Sequence, residues 1–304
     1  MAAPLIAVVG PTAAGKSRLG LDLARAHGGE IVSCDSLQVY RGLDIGSAKP
    51  TAEERRLVPH HLVDVADPAK DFSAAEYARR ARAAVRDIAA RGRLPLVVGG
   101  SGLYLRALLQ GLFAGPSRDE ALRLRLEALA GRFGDARLHR LLGRVDPEAA
   151  ARVDPHDRVR VVRALEVFAL TGRPLSRHHD QAAPDPLPGF RVRVLVLDPG
   201  PALLRAAVET RTRQMFSTGL LSEVRGLLEG GLSPEARPLK AIGYRQAVAV
   251  LRGQMSREGA ERETVTATMR YAKRQRTWFR HQVEAVWCPG PASAAAEAAA
   301  FLSA

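Results

Sequence analysis

One stretch constrains this chain more than any other. Gly10, Pro11, Thr12, Ala13, Ala14, Gly15, Lys16 and Ser17 follow an apolar run, Leu5 to Val9, and precede an amphipathic run, Leu19 to Ala26. That order reads strand, glycine loop, helix, and the spacing G-x-x-x-x-G-K-S is that of a P-loop. Glycines let the backbone wrap a phosphate, so that successive N–H groups point inward at it. The helix that follows adds its positive N-terminal end. Lys16 supplies a mobile charge, and the Ser17 hydroxyl can ligate Mg²⁺. The loop specifies phosphate or diphosphate but not whose phosphate it is.

The expected strands that follow are short and apolar. Glu30 to Cys34 reads as a second strand, ending at Asp35-Ser36-Leu37-Gln38-Val39-Tyr40. Ligands of open α/β sheets sit beyond the carboxyl ends of the strands. Asp35 is thereby placed beside the P-loop, to hold Mg²⁺ or to take a proton; the competing reading is an Asx turn or a helix cap. Gly46 to Pro50 is a polar loop carrying one lysine, with no function readable in it. His60 and His61 would point to opposite faces of a strand, a poor metal pair, and read as structural. Ser73 to Arg91 is predicted as a helix with a capping box between Ser73 and Glu76. Leu94 to Val98 is a buried strand that runs into Gly99-Gly-Ser-Gly-Leu-Tyr104, a second glycine turn. P-loop NTPases often carry a metal-binding Asp at that point. Glycines there suggest that something bulky approaches the backbone.

From about Ala114 the pattern loses its strands. Asp119 to Phe133 reads as a helix with Leu122, Leu126, Leu129 and Phe133 on one stripe. Asp154-Pro155 is expected to start another, His156 to Thr171, stopped by Gly172. Arg158, Arg160 and Arg163 give it a basic side, either a solvated face or a grip on a polyanion. Pro184 to Gly189 reads as a linker, and Phe190 to Leu197 returns to strand. The division expected is a core of 1–113 and 190–304 with a helical insertion, 114–189. Near the end, Glu263 to Val283 is one long basic helix mixing cations with Tyr271, Trp278 and Phe279. Such a mixture suits RNA, whose phosphates need charge and whose unstacked bases need aromatic faces. It equally suits an amphipathic helix with Trp278 in the core.

Composition sets the outer bounds. The 304 residues are 46% hydrophobic and 25% charged, as in globular domains, with no apolar run of membrane-spanning length. Lys+Arg 45 against Asp+Glu 32 leaves 45 − 32 = +13, which attracts polyanions. Two cysteines, Cys34 and Cys288, form neither a disulfide framework nor a zinc set. With no basic, apolar leader at the N-terminus, a reducing, cytoplasmic setting is expected. From the residues alone, a P-loop kinase of a small molecule, an RNA-stimulated ATPase and a group transferase all stay open.

Several stretches are familiar together. The P-loop, Asp35-Ser-Leu-Gln-Val-Tyr40, Gly46-Ser-Ala-Lys-Pro50, His60-His-Leu-Val-Asp64 and Gly99-Gly-Ser-Gly-Leu-Tyr104 come in order. Arg163-Ala-Leu-Glu166, Thr171-Gly172, Ile242-Gly-Tyr244 and Lys273-Arg-Gln-Arg-Thr-Trp278 complete the series. As an ordered set they resemble the bacterial tRNA dimethylallyltransferases, from Ala7 to about Val283. The resemblance implies an α/β fold, a P-loop NTPase-like parallel sheet flanked by helices, with an all-helical insertion domain. It implies transfer of a dimethylallyl group from dimethylallyl diphosphate to N6 of the adenine just 3′ of the anticodon. Mg²⁺ would be the cofactor, the tRNA anticodon stem-loop the partner, and the protein a monomer away from membranes. The P-loop would grip the diphosphate with Thr12 and Arg211, and Asp35 would be the base. The family's RNA contacts map onto Asp35, Ser36, Leu37, Gln38, Ser101, Arg123, Arg158, Val159, Arg160, Val161, Val162 and Arg163. In the C-terminal part they map onto Lys240, Gly243, Tyr244, Arg245, Lys273, Arg274, Arg276 and Arg280. Two departures, Ser101 and Ser17 where threonine is usual, keep the hydroxyl.

Overall fold

The structure, a computed structural model, describes residues 2–112, 115–116, 118–181 and 186–304. The first half runs β1 (Ala3–Val9), α1 (Lys16–His27), β2 (Glu30–Cys34), α2 (Ala52–Leu57), β3 (His60–His61), α3 (Ala74–Ala90), β4 (Pro95–Gly99) and α4 (Gly102–Gln110). Five helices follow: α5 (Glu120–Phe133), α6 (Asp135–Val145), α7 (Pro147–Arg152), α8 (Arg158–Thr171) and α9 (Leu175–Gln181). Then come β5 (Phe190–Leu197), α10 (Pro201–Thr218), α11 (Leu220–Glu229), a 3₁₀ turn (Arg237–Lys240), α12 (Tyr244–Leu251), α13 (Arg257–Gln282), β6 (Val286–Cys288) and α14 (Pro291–Ser303).

The chain divides into two compact units, Met1–Gln110 with Pro186–Ala304, and Gly111–Asp185. Of the linker expected at Pro184 to Gly189, residues 184 and 185 lie outside the described part, as do 113 and 114 at the expected start of the insertion.

In the first unit, six strands among the described residues form one sheet, ordered β3-β2-β4-β1-β5-β6, every pair parallel. The reason lies in the central strands β1 and β4, which carry no polar side chain and so need cover on both faces. In β1, Leu5, Ala7 and Val9 enter one core, while Ile6 and Val8 enter the other. The first core takes Tyr77 and Val85 from α3, Leu105 from α4 and Phe279 from α13. The second takes Leu19 and Leu23 from α1 and Ala294 and Phe301 from α14. Ser73 caps α3 by accepting the Glu76 N–H, but the reciprocal half of the expected capping box is missing. Glu76 turns instead to Arg79 and Arg80.

The second unit is helical, α5 to α9, with its own core of Leu138, Leu142, Val161, Val162 and Leu165. Two expectations change here. Asp154 is spent in a local turn, accepting the His156 N–H, and Asp157 is the cap, so α8 starts at Arg158. The leucine stripe of α5 is only partly used. Leu126 packs on the core, but Leu129 and Phe133 stay exposed, because α6 and α8 already fill it. Under α8, Glu166 is fully buried and takes hydrogen bonds from Arg123 Nε at 2.8 Å and Arg163 Nη1 at 2.6 Å. Burial alone would raise this carboxyl, yet the two guanidiniums hold it down at about 2.

Candidate active site at the carboxyl edge of the sheet

Strand register assembles the site. Val9 and Cys34 both align with Gly99, and Val9 also aligns with Val196. One step further along each strand lie Gly10, Asp35 and Gly100, with Asp198 just beyond β5. The P-loop, the candidate base and the second glycine turn therefore meet at one edge of the sheet, where open parallel sheets bind ligands.

The P-loop has the backbone its sequence demands. At Gly10 φ is +140°, and a Cβ there would stand 2.4 Å from the Leu197 carbonyl oxygen, so only glycine fits. Ala13 is left-handed at φ +63°, beside Gly15 at +89°, which turns their N–H groups into a concavity. No side chain caps α1 at Gly15, so its first-turn donors remain available to an anion. Lys16 Nζ donates to the Pro11 carbonyl at 2.6 Å. Burial lowers the Lys16 ammonium to about 8, against the opposing pull of the Asp35 carboxylate.

Two cavities open on this edge. One of 110 Å³ is lined by Lys16, Ser17, Asp35, Gly100 and Gln275. The other, of 420 Å³, is lined by Asp35, Leu37, Met215, Ile242, Tyr271 and Arg274 among others. Thr12 and Arg211 line both, and Arg211 Nη1 donates to Thr12 Oγ1 at 3.2 Å. Burial pushes the Arg211 guanidinium below its ordinary range, with Asp35 pulling the other way. Asp35 makes the expected Asx turn without leaving the cavities. Its Oδ1 accepts the Leu37 N–H at 2.8 Å in an Asx turn, while the carboxylate still faces the cavities.

The bulky group expected at the second glycine turn belongs to the protein itself. A Cβ on Gly102 would meet the Trp278 ring at 2.4 Å, and one on Gly100 would meet Gln275 Nε2 at 2.5 Å. Trp278 packs edge-on against Phe279, so this aromatic serves the core rather than a base. Gln275 is buried and bridges the two glycine loops. Its Oε1 accepts the Thr12 N–H and its Nε2 donates to the Gly100 carbonyl, each at 2.9 Å.

Sequence reasoning gave Gln275 no role. The available signal was position: it shares the inner face of α13 with Ala272 and Phe279, where a polar side chain needs a partner. Glu223 was missed as well. Its carboxylate accepts the N–H groups of Asp44 and Ile45 at 2.9 and 2.6 Å and the Tyr244 hydroxyl at 2.8 Å. It thereby fastens the Gly46 to Pro50 loop beneath the site. Lys49, unreadable in sequence, is a buried cation bonded to Tyr40 O, Asp44 and Asp64. Those contacts join the stretches Asp35 to Tyr40, Gly46 to Pro50 and His60 to Asp64. The two histidines are structural, as read. His61 bonds Glu30, and His60 bonds the Val58 carbonyl.

The residues expected to meet RNA fall into two groups. Ser36, Lys240, Arg245, Lys273, Arg274, Arg280, Arg158, Val159 and Arg160 are exposed. Leu37 is half-buried at the larger cavity, and the half-buried Ser101 accepts the Ser36 N–H through Oγ. Others are already committed inside the protein. Tyr244 has no exposed surface and lies against Gly46. Gly243 sits buried at φ +91° with its N–H on Gln246, and Val161 and Val162 are core. Arg123 and Arg163 hold Glu166, as above. Arg276 donates to Asp198 at 2.7 Å. The Gln38 amide accepts from Ser33 and donates to the Ala48 carbonyl, which leaves it little to offer a base.

Comparison with known proteins agrees with this arrangement. The IPP transferase family signature matches residues 38–282. The tRNA dimethylallyltransferase of Myxococcus xanthus is 51% identical over 295 residues, 96% of this chain and 94% of that protein. Among solved structures, the full-length tRNA isopentenylpyrophosphate transferase of Bacillus halodurans is 39% identical, with a TM-score of 0.66, covering 94% of this chain and 89% of that one. A eukaryotic dimethylallyltransferase acting on tRNA superposes with a TM-score of 0.76 at 25% identity, over 98% of this chain and 77% of that one. With half its residues shared along nearly its whole length, and the P-loop, Asp35 and Arg211 gathered on one sheet edge, this chain belongs to the tRNA dimethylallyltransferase family.

Proposed function

We propose that the protein transfers the dimethylallyl group of dimethylallyl diphosphate to N6 of the adenine 3′ of the anticodon, in tRNAs that read codons beginning with U. The observation that carries this is Asp35, a carboxylate lining both the phosphate cavity and the larger cavity beside it. The P-loop amides, Lys16 and Arg211 hold the diphosphate. As the carbon–oxygen bond breaks, negative charge develops on that diphosphate, beside the cations that line the cavity. The new bond forms from N6 to the dimethylallyl carbon, and Asp35 takes the proton that N6 sheds. Leu37, Val208, Met215 and Ile242 give the prenyl chain an apolar wall.

Mg²⁺ takes oxygen ligands and is held by one or two protein groups together with substrate phosphates. The Ser17 hydroxyl, at the 110 Å³ cavity beside the P-loop, fits as such a protein group. When bound, the ion would neutralise charge on the diphosphate. The target base must leave its stack to reach the cavity. Exposed Lys240, Arg245 and Arg274 at the larger cavity suit the phosphates of an anticodon stem-loop. The exposed arginines Arg158 and Arg160 of the helical unit suit the same polyanion. No helix among the described residues is long and apolar enough to cross a membrane. A reducing, cytoplasmic setting accords with the buried free thiols of Cys34 and Cys288.

The test mixes protein, Mg²⁺, radiolabelled dimethylallyl diphosphate and unmodified tRNA, omitting ATP and the donor in turn. Label entering RNA without ATP is the expected result. ATP consumption with no labelled RNA would establish a kinase or ATPase instead.

A further inference from the structure

One wall of the 420 Å³ cavity has no part in the steps above. Thr264, Thr268 and Tyr271 line it together, at i, i+4 and i+7 of α13, so three hydroxyl groups share one helix face. Thr264 is 2% exposed, and its Oγ1 has no hydrogen-bond partner. Helical threonines usually donate to the carbonyl one turn back. Thr171 does so to Val167 and Thr266 to Arg262 in this same chain. Thr264 departs from that habit at a cavity wall, where a buried hydroxyl without a partner is costly.

Resting on the transferase reading, we propose that the Thr264 hydroxyl hydrogen-bonds a ring nitrogen of the substrate adenine, making α13 the base-reading wall. The chemistry of the two substrates decides which one satisfies it. A dimethylallyl chain offers no acceptor, and its diphosphate belongs to the smaller cavity, which Thr264 does not line. A purine offers ring nitrogens, and a hydroxyl can donate to them. The apolar groups Val208, Met215 and Ile242 of the same cavity suit the chain instead. Lys240, Arg245 and Arg274, exposed at the same cavity, can hold phosphates on either side of an extruded base.

Thr264→Val replaces the hydroxyl by a methyl group of the same shape, and Thr264→Ser keeps it. With dimethylallyl diphosphate and unmodified tRNA, the Val variant should lose about tenfold in kcat/KM for the RNA, the usual worth of one such bond. Its KM for the donor should not move, and its melting temperature should be no lower than wild type. The Ser variant should stay within about twofold of wild type. Replacing the target adenine in turn by 1-, 3- or 7-deazaadenine locates the contact. One analogue should cost wild type about tenfold and the Val variant nothing further. Unchanged RNA kinetics in the Val variant, a change confined to donor KM, or fully additive losses with all three analogues would overturn the inference. Wild-type protein that transfers no label overturns the transferase reading and this inference together. An active wild type with an indifferent Val variant overturns the inference alone.

Discussion

Gln275 and Thr12 lie 263 positions apart, yet the side-chain carbonyl of one accepts the backbone N–H of the other at 2.9 Å. The P-loop is therefore not closed by its own residues alone. A helix from the far end of the chain holds it and, through the Gly100 carbonyl, ties it to the end of β4. The P-loop and the basic helix are thereby fastened to each other.

That coupling has a price in stability and in kinetics when it is cut. Gln275→Ala removes two buried hydrogen bonds and should cost about 2 kcal/mol in denaturant unfolding. At a temperature where the variant is fully folded, kcat/KM for the donor should still fall ~10–100-fold, because Thr12 and the loop lose their fixed place. Gln275→Glu keeps the acceptor for Thr12 and should fall between. Normal donor kinetics in the folded Ala variant would reduce Gln275 to a packing residue.

Asp35 forms the Asx turn and is the proposed base, and Asn separates the two. Asp35→Asn retains an oxygen for the Leu37 N–H but cannot take a proton from N6. Turnover should drop by ~10²–10⁴, the range for losing a general base, with tRNA affinity nearly intact. An Asn variant that turns over normally would leave only the Asx turn.

Burial holds the free-enzyme Lys16 near 8, so its ammonium is lost as pH rises through that value. Donor kcat/KM reports the free enzyme and should decline above about pH 8. The decline should be weaker in kcat, because bound diphosphate favours the charged form. A donor kcat/KM that stays level to pH 9.5 would contradict the assignment.

Glu223 gathers two amides and the Tyr244 hydroxyl around one carboxylate. Glu223→Ala leaves the partly buried Ile45 N–H and the Tyr244 hydroxyl without an acceptor and should destabilise the protein by about 2–3 kcal/mol. It should also weaken donor binding, since Gly46 and Ser47 line the larger cavity. Tyr244→Phe, which loses one of those bonds, should cost about 1 kcal/mol. Chemical denaturation of the pair measures both.

The two neighbouring arginines of α13 should part company in RNA binding. Arg274 is exposed at the larger cavity over the Tyr271 ring, whereas Arg276 is paired with Asp198. Arg274→Ala should reduce the slope of log affinity against log salt by about 1. Arg276→Ala should lower stability and leave that slope unaltered. Equal slopes for both variants would erase the distinction.

What the sequence determined by itself was whatever a few neighbouring residues control. Glu30–Cys34 is a strand with the very ends its apolar run suggested, α3 starts at its Ser73 cap, and the P-loop takes its curve from Gly10 and Gly15. The stretch 119 to 181 is free of strands because its apolar residues recur with helical spacing. Pattern of this kind is local, and so is the backbone geometry it dictates. Partner choice is not local. Arg123, Arg163, Arg276 and Arg274 read alike in sequence as cations for a phosphate. Packing then set Glu166 beneath the first two and Asp198 beside the third, and left the fourth open at the cavity. The same holds for Gln275 with Thr12 and for Lys49 with Asp64. A charge or an amide carries no mark of its partner along the chain. Which group comes within 3 Å is decided only when distant segments share one core, and there the demand to pair every buried polar group selects the contact.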